Sequence, residues 1–369
     1  MKDIRNEKLA DILVNYSCQI KEGEKILISA YETDNELVKR IIDKVYEAKG
    51  LPFVQINDDS ANARLFKGIT QEQLEIINSI DLAMMEKMDA YIAIRTRNNV
   101  YESSIIPPAT LTMASKILKP SFDQRVKHTK WCVLRYPNQS MAQLAKMNTE
   151  DFTDFYYDVC TLDYEKMSKA MDSLVDLMDK TDQVHIKGPG TDLRFSIKDI
   201  PAIKCAGEMN IPDGEVFTAP VRDSINGHIT FNTLSASSGK TFENIYFEFK
   251  DGKIINAKSN HTELLNKILD TDEGSRYVGE FAIGVNPYII HPMMDTLFDE
   301  KIQGSFHLTP GSCYDEAYNG NDSAIHWDLV SIQTQEYGGG EIWFDNQLVR
   351  KDGLFVIDSL KGLNPENLK

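Results

Sequence analysis

The chain has no apolar run of membrane-spanning length, no paired cysteine motif and no surplus of basic residues. Each absence removes a class of function. A helix crossing a bilayer needs about 20 consecutive apolar residues, so a membrane partner is not expected. A formal net charge of −16 opposes nucleic acid as a partner, because phosphate backbones demand a basic surface. Cys18, Cys132, Cys160, Cys205 and Cys313 are odd in number and scattered, without a Cys-x-x-Cys pair. A disulfide framework and a cysteine-type zinc knuckle are therefore not expected. Cys313 follows His307 closely and reads either as a nucleophile with a histidine base or as a small buried thiol. Met1-Lys2-Asp3-Ile4-Arg5 opens directly into an amphipathic helical pattern, the start expected of a cytoplasmic protein.

Several catalytic signatures are missing too. No G-x-G-x-x-G follows the first strand pattern, so a dinucleotide role has no support. Ser238-Gly239-Lys240-Thr241 imitates the end of a phosphate-binding loop. However, Leu234 stands where its first glycine belongs, and residues 242–249 alternate as a strand where a helix is required. Neither H-E-x-x-H nor G-x-S-x-G occurs, which removes a helical zincin site and a serine-hydrolase elbow.

What is present suffices for two domains: 369 residues, 42% hydrophobic and 26% charged. Leu9, Ile12, Leu13 and Tyr16 recur at helical spacing. Short β runs follow at Lys25-Ile26-Leu27-Ile28-Ser29-Ala30, Phe53-Val54-Gln55-Ile56, Tyr91-Ile92-Ala93-Ile94 and Trp131-Cys132-Val133-Leu134. Between the first two, Leu37, Ile41, Ile42 and Val45 mark a helix that stops near Gly50. This alternation predicts an α/β domain with a mainly parallel sheet over 1–165. Residues 151–180 read as a helical connection, with Met167, Met171, Leu174 and Leu177 on one face. Over 166–369 the texture changes to short strands with turns at Gly188-Pro189-Gly190, Asp251-Gly252 and Asp352-Gly353. Helices return around 263–269 and 293–298. The second half is expected to be a β-rich α+β catalytic domain.

Five ionisable residues stand out there. His326 and Asp328 lie two apart in the strand-like run Ser323-Ala324-Ile325-His326-Trp327-Asp328-Leu329-Val330, a spacing that puts both on one strand face. His307, Glu280 and Glu215 each sit alone in an apolar or small-residue run, where an unpaired charge is costly. A metal centre gives all five a common partner. Four ligands saturate one zinc, so five suit two divalent ions, with three carboxylates and one hydroxide balancing the charge. Two ions roughly 3.5–4 Å apart can share a hydroxide and polarise a carbonyl. Tyr314, seven residues past His307, offers a phenolic ligand or a hydrogen-bond donor. His128, His185, His228, His261 and His291 lack a comparable setting and are read as surface or core histidines.

The same segments resemble the aminopeptidase T / aminopeptidase S family, metallo-exopeptidases also called thermophilic-type metalloproteases. The resemblance rests on Glu215-Val216-Phe217-Thr218-Ala219-Pro220, Leu269-Asp270-Thr271-Asp272-Glu273-Gly274, Gly279-Glu280 through Asn286-Pro287, Leu297-Phe298-Asp299-Glu300-Lys301-Ile302, Phe306-His307-Leu308 and the run 323–330. The opening also fits, with Leu13-Val14-Asn15-Tyr16-Ser17 and Lys21-Glu22-Gly23-Glu24-Lys25-Ile26-Leu27-Ile28. It implies removal of single residues from peptides with a free N-terminus, a cytoplasmic setting and a homodimer. It further implies two divalent ions, drawn from zinc, cobalt, manganese or magnesium, on Glu215, Glu280, His307, Tyr314, His326 and Asp328. Glu280 would bridge the ions or shuttle the proton, and Tyr314 would serve catalysis. The stretch Thr309-Pro310-Gly311-Ser312-Cys313 departs from the family's small-residue stretch ending in Gly-Gln, and the loop from Tyr314 to His326 is short. Those departures bear on side-chain preference and leave the ligands intact. The ligand set by itself also suits an amidase, a phosphoesterase or a metal-stabilised binding protein without turnover.

Overall fold

In a computed structural model, residues 3–32, 35–237 and 239–369 are described; Met1 and Lys2 of the expected opening helix and Ser238 of the phosphate-loop look-alike lie outside them. The chain divides into two compact units, Met1–Thr161 with Gly207–Ile211, and Leu162–Ala206 with Pro212–Lys369.

The first unit is the parallel α/β layer that its alternating pattern predicts. Its sheet runs in the order Leu51–Asn57, Lys25–Tyr31, Ala90–Arg95, Lys130–Leu134, Asn210–Ile211, with every neighbour parallel. Two of the three inner strands, Lys25–Tyr31 and Ala90–Arg95, are largely apolar on both faces because helices cover both, as crossover connections require. Ile26, Ile28, Ala90, Ile92 and Ile94 are all buried. Glu36–Glu47 supplies the expected helix, burying Leu37, Val38, Ile41 and Val45. Gln71–Met85 is started by a capping box in which the Thr70 hydroxyl accepts from Gln73 N and the Gln73 side chain accepts from Thr70 N.

The expected helical connection over 151–180 is two helices, Thr149–Cys160 and Tyr164–Met178. Asp163 breaks the run, because its carboxylate accepts from Lys166 N and caps the second helix. Met167, Met171 and Leu174 are buried as the stripe predicts, with Met178 rather than Leu177 completing the face.

The second unit is built from two large antiparallel sheets and a two-stranded ribbon, Ser235–Ser237 with Lys240–Phe242. The larger runs Lys253–Lys258, Tyr246–Lys250, Asn226–Thr230, Thr191–Ser196, Gln183–Gly188, Glu341–Phe344, Gln347–Lys351, Leu354–Phe355, and its tight turns fall where Gly190, Asp251-Gly252 and Asp352-Gly353 predict them. The smaller runs Leu329–Ile332, Ser305–Pro310, Val278–Gly284, Glu215–Thr218, Ile203–Cys205. Side chains alternate along each of its strands, which gives the sheet two different faces. One face carries Phe281 and Phe306, and Phe281 packs edge-on to Phe195 of the larger sheet at 5.1 Å between ring centres. Burying a side chain such as Phe281, which is 0% exposed, stabilises by roughly 1.5–3 kcal/mol. The opposite face carries the ionisable residues.

The run 323–330 is not the continuous strand expected. Only Leu329–Ile332 joins the ladder, and His326 makes a single bridge with Gly311. Asp272 holds the start of the run away from the ladder: its carboxylate accepts from Ala324 N at 2.6 Å, a backbone group that a ladder would use, and from the Ser323 hydroxyl at 2.7 Å. The helix expected around 293–298 is the shorter Thr296–Asp299, capped by Asp295.

Candidate metal centre

Register brings the ionisable residues onto one sheet face. Glu215 pairs with Gly284, and His307 pairs with Ala282, which lies opposite Phe217 on its other side. Gly284 and Ala282 keep the floor low between these larger side chains. The ladder slips between Val278 and Glu280, and a slip of this kind re-aims the next side chain. Gly279 permits it, since a Cβ there would meet the Ser312 backbone at 2.4 Å. Glu280 thereby faces the same side as His307 and Glu215.

The outcome is two adjoining groups. Glu215, Glu280 and His307 offer ligand atoms all within 4.8 Å of one another, and so do Glu280, His326 and Asp328. Glu280 belongs to both. Its Oε1 lies 3.2 Å from His307 Nε2, while its Oε2 lies 3.3 Å from His326 Nε2. His326 Nε2 is also 3.3 Å from Asp328 Oδ1, so that pair meets even though its segment is not a strand. The His326 and Asp328 pair and the three lone ionisable residues Glu215, Glu280 and His307 are thus brought together.

Outer hydrogen bonds fix their orientation. His326 Nδ1 donates to the Ser312 carbonyl at 2.8 Å, which leaves Nε2 directed at the carboxylates. The Thr309 hydroxyl donates to Asp328 Oδ1 at 2.7 Å. Partners of this kind set the tautomer and aim of metal-binding histidines and carboxylates. Tyr314 packs its ring, tilted by 60°, 4.8 Å from that of His326 and 5.5 Å from that of Phe217. Packing and the carboxylates of Glu280 and Asp328 hold its phenol well above the ordinary tyrosine range.

The electrostatics are those of a cation site. Burial raises the Glu215 carboxyl, against the opposing pull of Lys301 and His307. Burial acts the same way on Glu280 and Asp328, but hydrogen bonds from the imidazoles win and hold both below the usual carboxylate range. Desolvation would lower both histidines, yet the surrounding carboxylates push His307 up to about 9 and His326 to about 11. Glu215 Oε2 and His307 Nδ1 are buried, 3.7 Å apart, and have no hydrogen-bond partner. Leaving such atoms unsatisfied costs about 1–3 kcal/mol each. A divalent cation among these oxygen and nitrogen donors would satisfy them, so the residues fit the metal that the sequence predicts.

Three residues here escaped the sequence reading. Lys301, with a side chain only 2% exposed, puts its ammonium 2.5 Å from Glu215 Oε1, 2.7 Å from Glu300 Oε1 and 3.6 Å from Asp213 Oδ1. Glu300 and Asp213 are the other two. Lys301 thus stands beside the third group of potential ligands, Cys205, Asp213 and Glu215. Cys313 donates to the Asn321 carbonyl, and His307 faces Glu280 and Glu215, so the thiol is not paired with that histidine. The other five histidines join none of the three groups.

Known proteins resemble this chain in sequence and in fold. Aminopeptidase T of Thermus thermophilus is 24% identical, with 88% of this chain and 91% of that protein covered. Aminopeptidase AmpS of Bacillus subtilis is 22% identical, covering 87% of each. The solved structure of wild-type AmpT from Thermus thermophilus shares the fold, with a TM-score of 0.81 at 20% identity over 96% of this chain and 99% of that one. The 2,5-dihydroxypyridine dioxygenase of Pseudomonas putida KT2440 shares it more distantly, with a TM-score of 0.62 at 11% identity over 96% of this chain and 98% of that one. The family model described as thermophilic metalloprotease (M29) matches residues 2–344. The match covers nearly the whole chain and bears out the resemblance carried by its motifs: the chain belongs to the thermophilic metalloprotease (M29) family, and is a hydrolase of that family.

Proposed function

We propose that this protein is a metal-dependent aminopeptidase that removes the N-terminal residue of peptides at a centre for two divalent ions. The observation that carries the two-ion reading is Glu280, whose two oxygens face two different ligand groups. Charge supports it as well. The carboxylates of Asp213, Glu215, Glu280, Glu300 and Asp328 are matched by the Lys301 ammonium and two divalent ions. Glu215, Glu280 and His307 would hold one ion and Glu280, His326 and Asp328 the other, with Tyr314 at the edge of the second.

Divalent ions, when bound, supply an activated water and polarise the carbonyl under attack. The chain's own residues arrange the rest. Glu280 keeps the two groups in register through its paired oxygens, and Ser312 and Thr309 hold His326 and Asp328 in place. The Tyr314 hydroxyl would donate to the carbonyl oxygen as negative charge grows on it. Five unpaired cysteines suit a reducing compartment such as the cytoplasm. We further propose a homodimer, for which exposed Leu51, Phe53, Val54 and Ile56 on an edge strand offer apolar surface.

The test is a panel of short peptides given to protein loaded in turn with zinc, cobalt, manganese or magnesium. Free peptides should lose one residue at a time, N-acetylated ones should resist, and chelation should abolish turnover. Metal analysis should return two ions per chain. Cleavage inside blocked peptides, or full activity after chelation, would refute the reading.

A further inference from the structure

An aminopeptidase must recognise the positive α-ammonium of its substrate, and none of the candidate ligands is free to do so. Glu280 and Asp328 belong to the ligand groups, and Glu215 divides its oxygens between Lys301 and the space beside His307. Asp213 is sealed at 1% exposure. Glu300 differs from all of these. It belongs to none of the ligand groups among the described residues, and its side chain keeps 13% of its surface open.

Its position is fixed from one side. Lys301 donates to Glu300 Oε1 at 2.7 Å with the same ammonium that holds Glu215 Oε1. The third contact of that ammonium is a longer one, 3.6 Å to Asp213 Oδ1. The second oxygen of Glu300 has no hydrogen-bond partner among the described residues. The shared ammonium ties Glu300 to Glu215, a member of the first ligand group, so Glu300 borders the site. Asp328 and His326, at 12% and 26% exposure, form the other partly open wall.

We propose that Glu300, held by Lys301, is the carboxylate that binds the α-ammonium of the peptide and so restricts the enzyme to free N-termini. This rests on the aminopeptidase reading and deepens it. One oxygen is held by the buried lysine, and the other is offered to the substrate cation. A carboxylate fixed in advance loses little freedom on binding, and a charge-assisted hydrogen bond to ammonium is stronger than a neutral one.

The experiment uses the metal-loaded enzyme and its Glu300→Gln variant. Gln keeps the shape and an oxygen for Lys301 but removes the charge. Two hydroxamates serve as probes, leucine hydroxamate and isocaprohydroxamate, which differ only in the amino group. The unmodified enzyme should bind the amino compound the more tightly, and the variant should lose roughly ten- to a hundredfold of that preference. KM for leucyl-p-nitroanilide should rise by a similar factor, more than kcat falls, with two ions still bound. Glu300→Asp, which keeps the charge on a shorter arm, should recover part of the preference. An unchanged preference in the Gln variant would overturn the assignment and give ammonium recognition to the metals or to other groups. Loss of metal from the Gln variant would overturn it too, since Glu300 would then support the ions. Equal binding of both hydroxamates by the unmodified enzyme would overturn the aminopeptidase reading as well.

Discussion

Replacing Lys301 by Met removes one buried positive charge and keeps the volume. In the metal-free protein this leaves Glu215, Glu300 and Asp213 without the ammonium that lies 2.5, 2.7 and 3.6 Å from them. Breaking a buried ion pair from one side costs about 3–5 kcal/mol, because the remaining charge stays out of water without compensation. Three carboxylates share this lysine, which pushes the cost toward the upper end. Proton uptake limits it, since burial already holds Glu215 and Glu300 above the usual carboxylate range. We therefore expect Lys301→Met to destabilise the second unit by about 3–5 kcal/mol in excess chelator. Trp327 and Trp343 lie in that unit and Trp131 in the other, so urea unfolding followed by fluorescence in a Trp131→Phe background reports it. At a slope of about 2–3 kcal/mol per molar urea, the midpoint should fall by roughly 1–2 M. Adding Glu300→Gln to Lys301→Met should cost less than the two single changes together, since the neutralised carboxyl no longer needs its partner. Divalent ions should restore the variant more than the wild type, because the group of Cys205, Asp213 and Glu215 is then open to a cation. A midpoint within about 0.3 M of wild type, a third or less of the smallest shift expected from that slope, would show that Lys301 does not hold this cluster together.

The remaining substitutions separate ligand, donor and scaffold. His326→Ala should lose one of two bound ions and nearly all turnover while leaving the first unit folded; retention of both ions by elemental analysis would exclude His326 as a ligand. Tyr314→Phe removes one oxygen from a ring that packs on Phe217 and His326, and kcat should fall roughly 10–10³-fold with both metals bound, by analogy with loss of an oxyanion donor. Unchanged kcat and metal content would take the hydroxyl out of the reaction. Gly311→Ala strikes the scaffold: Gly311 has φ +113° and bridges His326, and a Cβ there would meet the Ile325 carbonyl oxygen at 2.1 Å. It should weaken zinc affinity in a competition titration by tenfold or more, a loss of about 1.4 kcal/mol, and an unaltered affinity would mean that this bridge does not position His326.

Which of these residues could be read from the sequence follows from how a charge looks beside its neighbours. Glu215, Glu280 and His307 each interrupt an apolar or small-residue run, and the central run Tyr91-Ile92-Ala93-Ile94 of the first unit is apolar without interruption. Both patterns keep their meaning in the fold, because burial on a sheet decides them locally. The segment 323–330 is a strand only at its end because its start is tied to Asp272, some fifty residues earlier in the chain, through Ala324 N and the Ser323 hydroxyl. Lys301 and Glu300 were passed over for a different reason. They stand in Asp299-Glu300-Lys301, directly after a short helix, where a run of charges ordinarily reads as a solvated surface. Only the fold turns that end inward, so that Asp299 is 5% exposed and Lys301 2%. Glu300 needs no new sequence motif to face the site; it needs the ammonium beside it, and that dependence is why the Lys301 and Glu300 substitutions must be measured together.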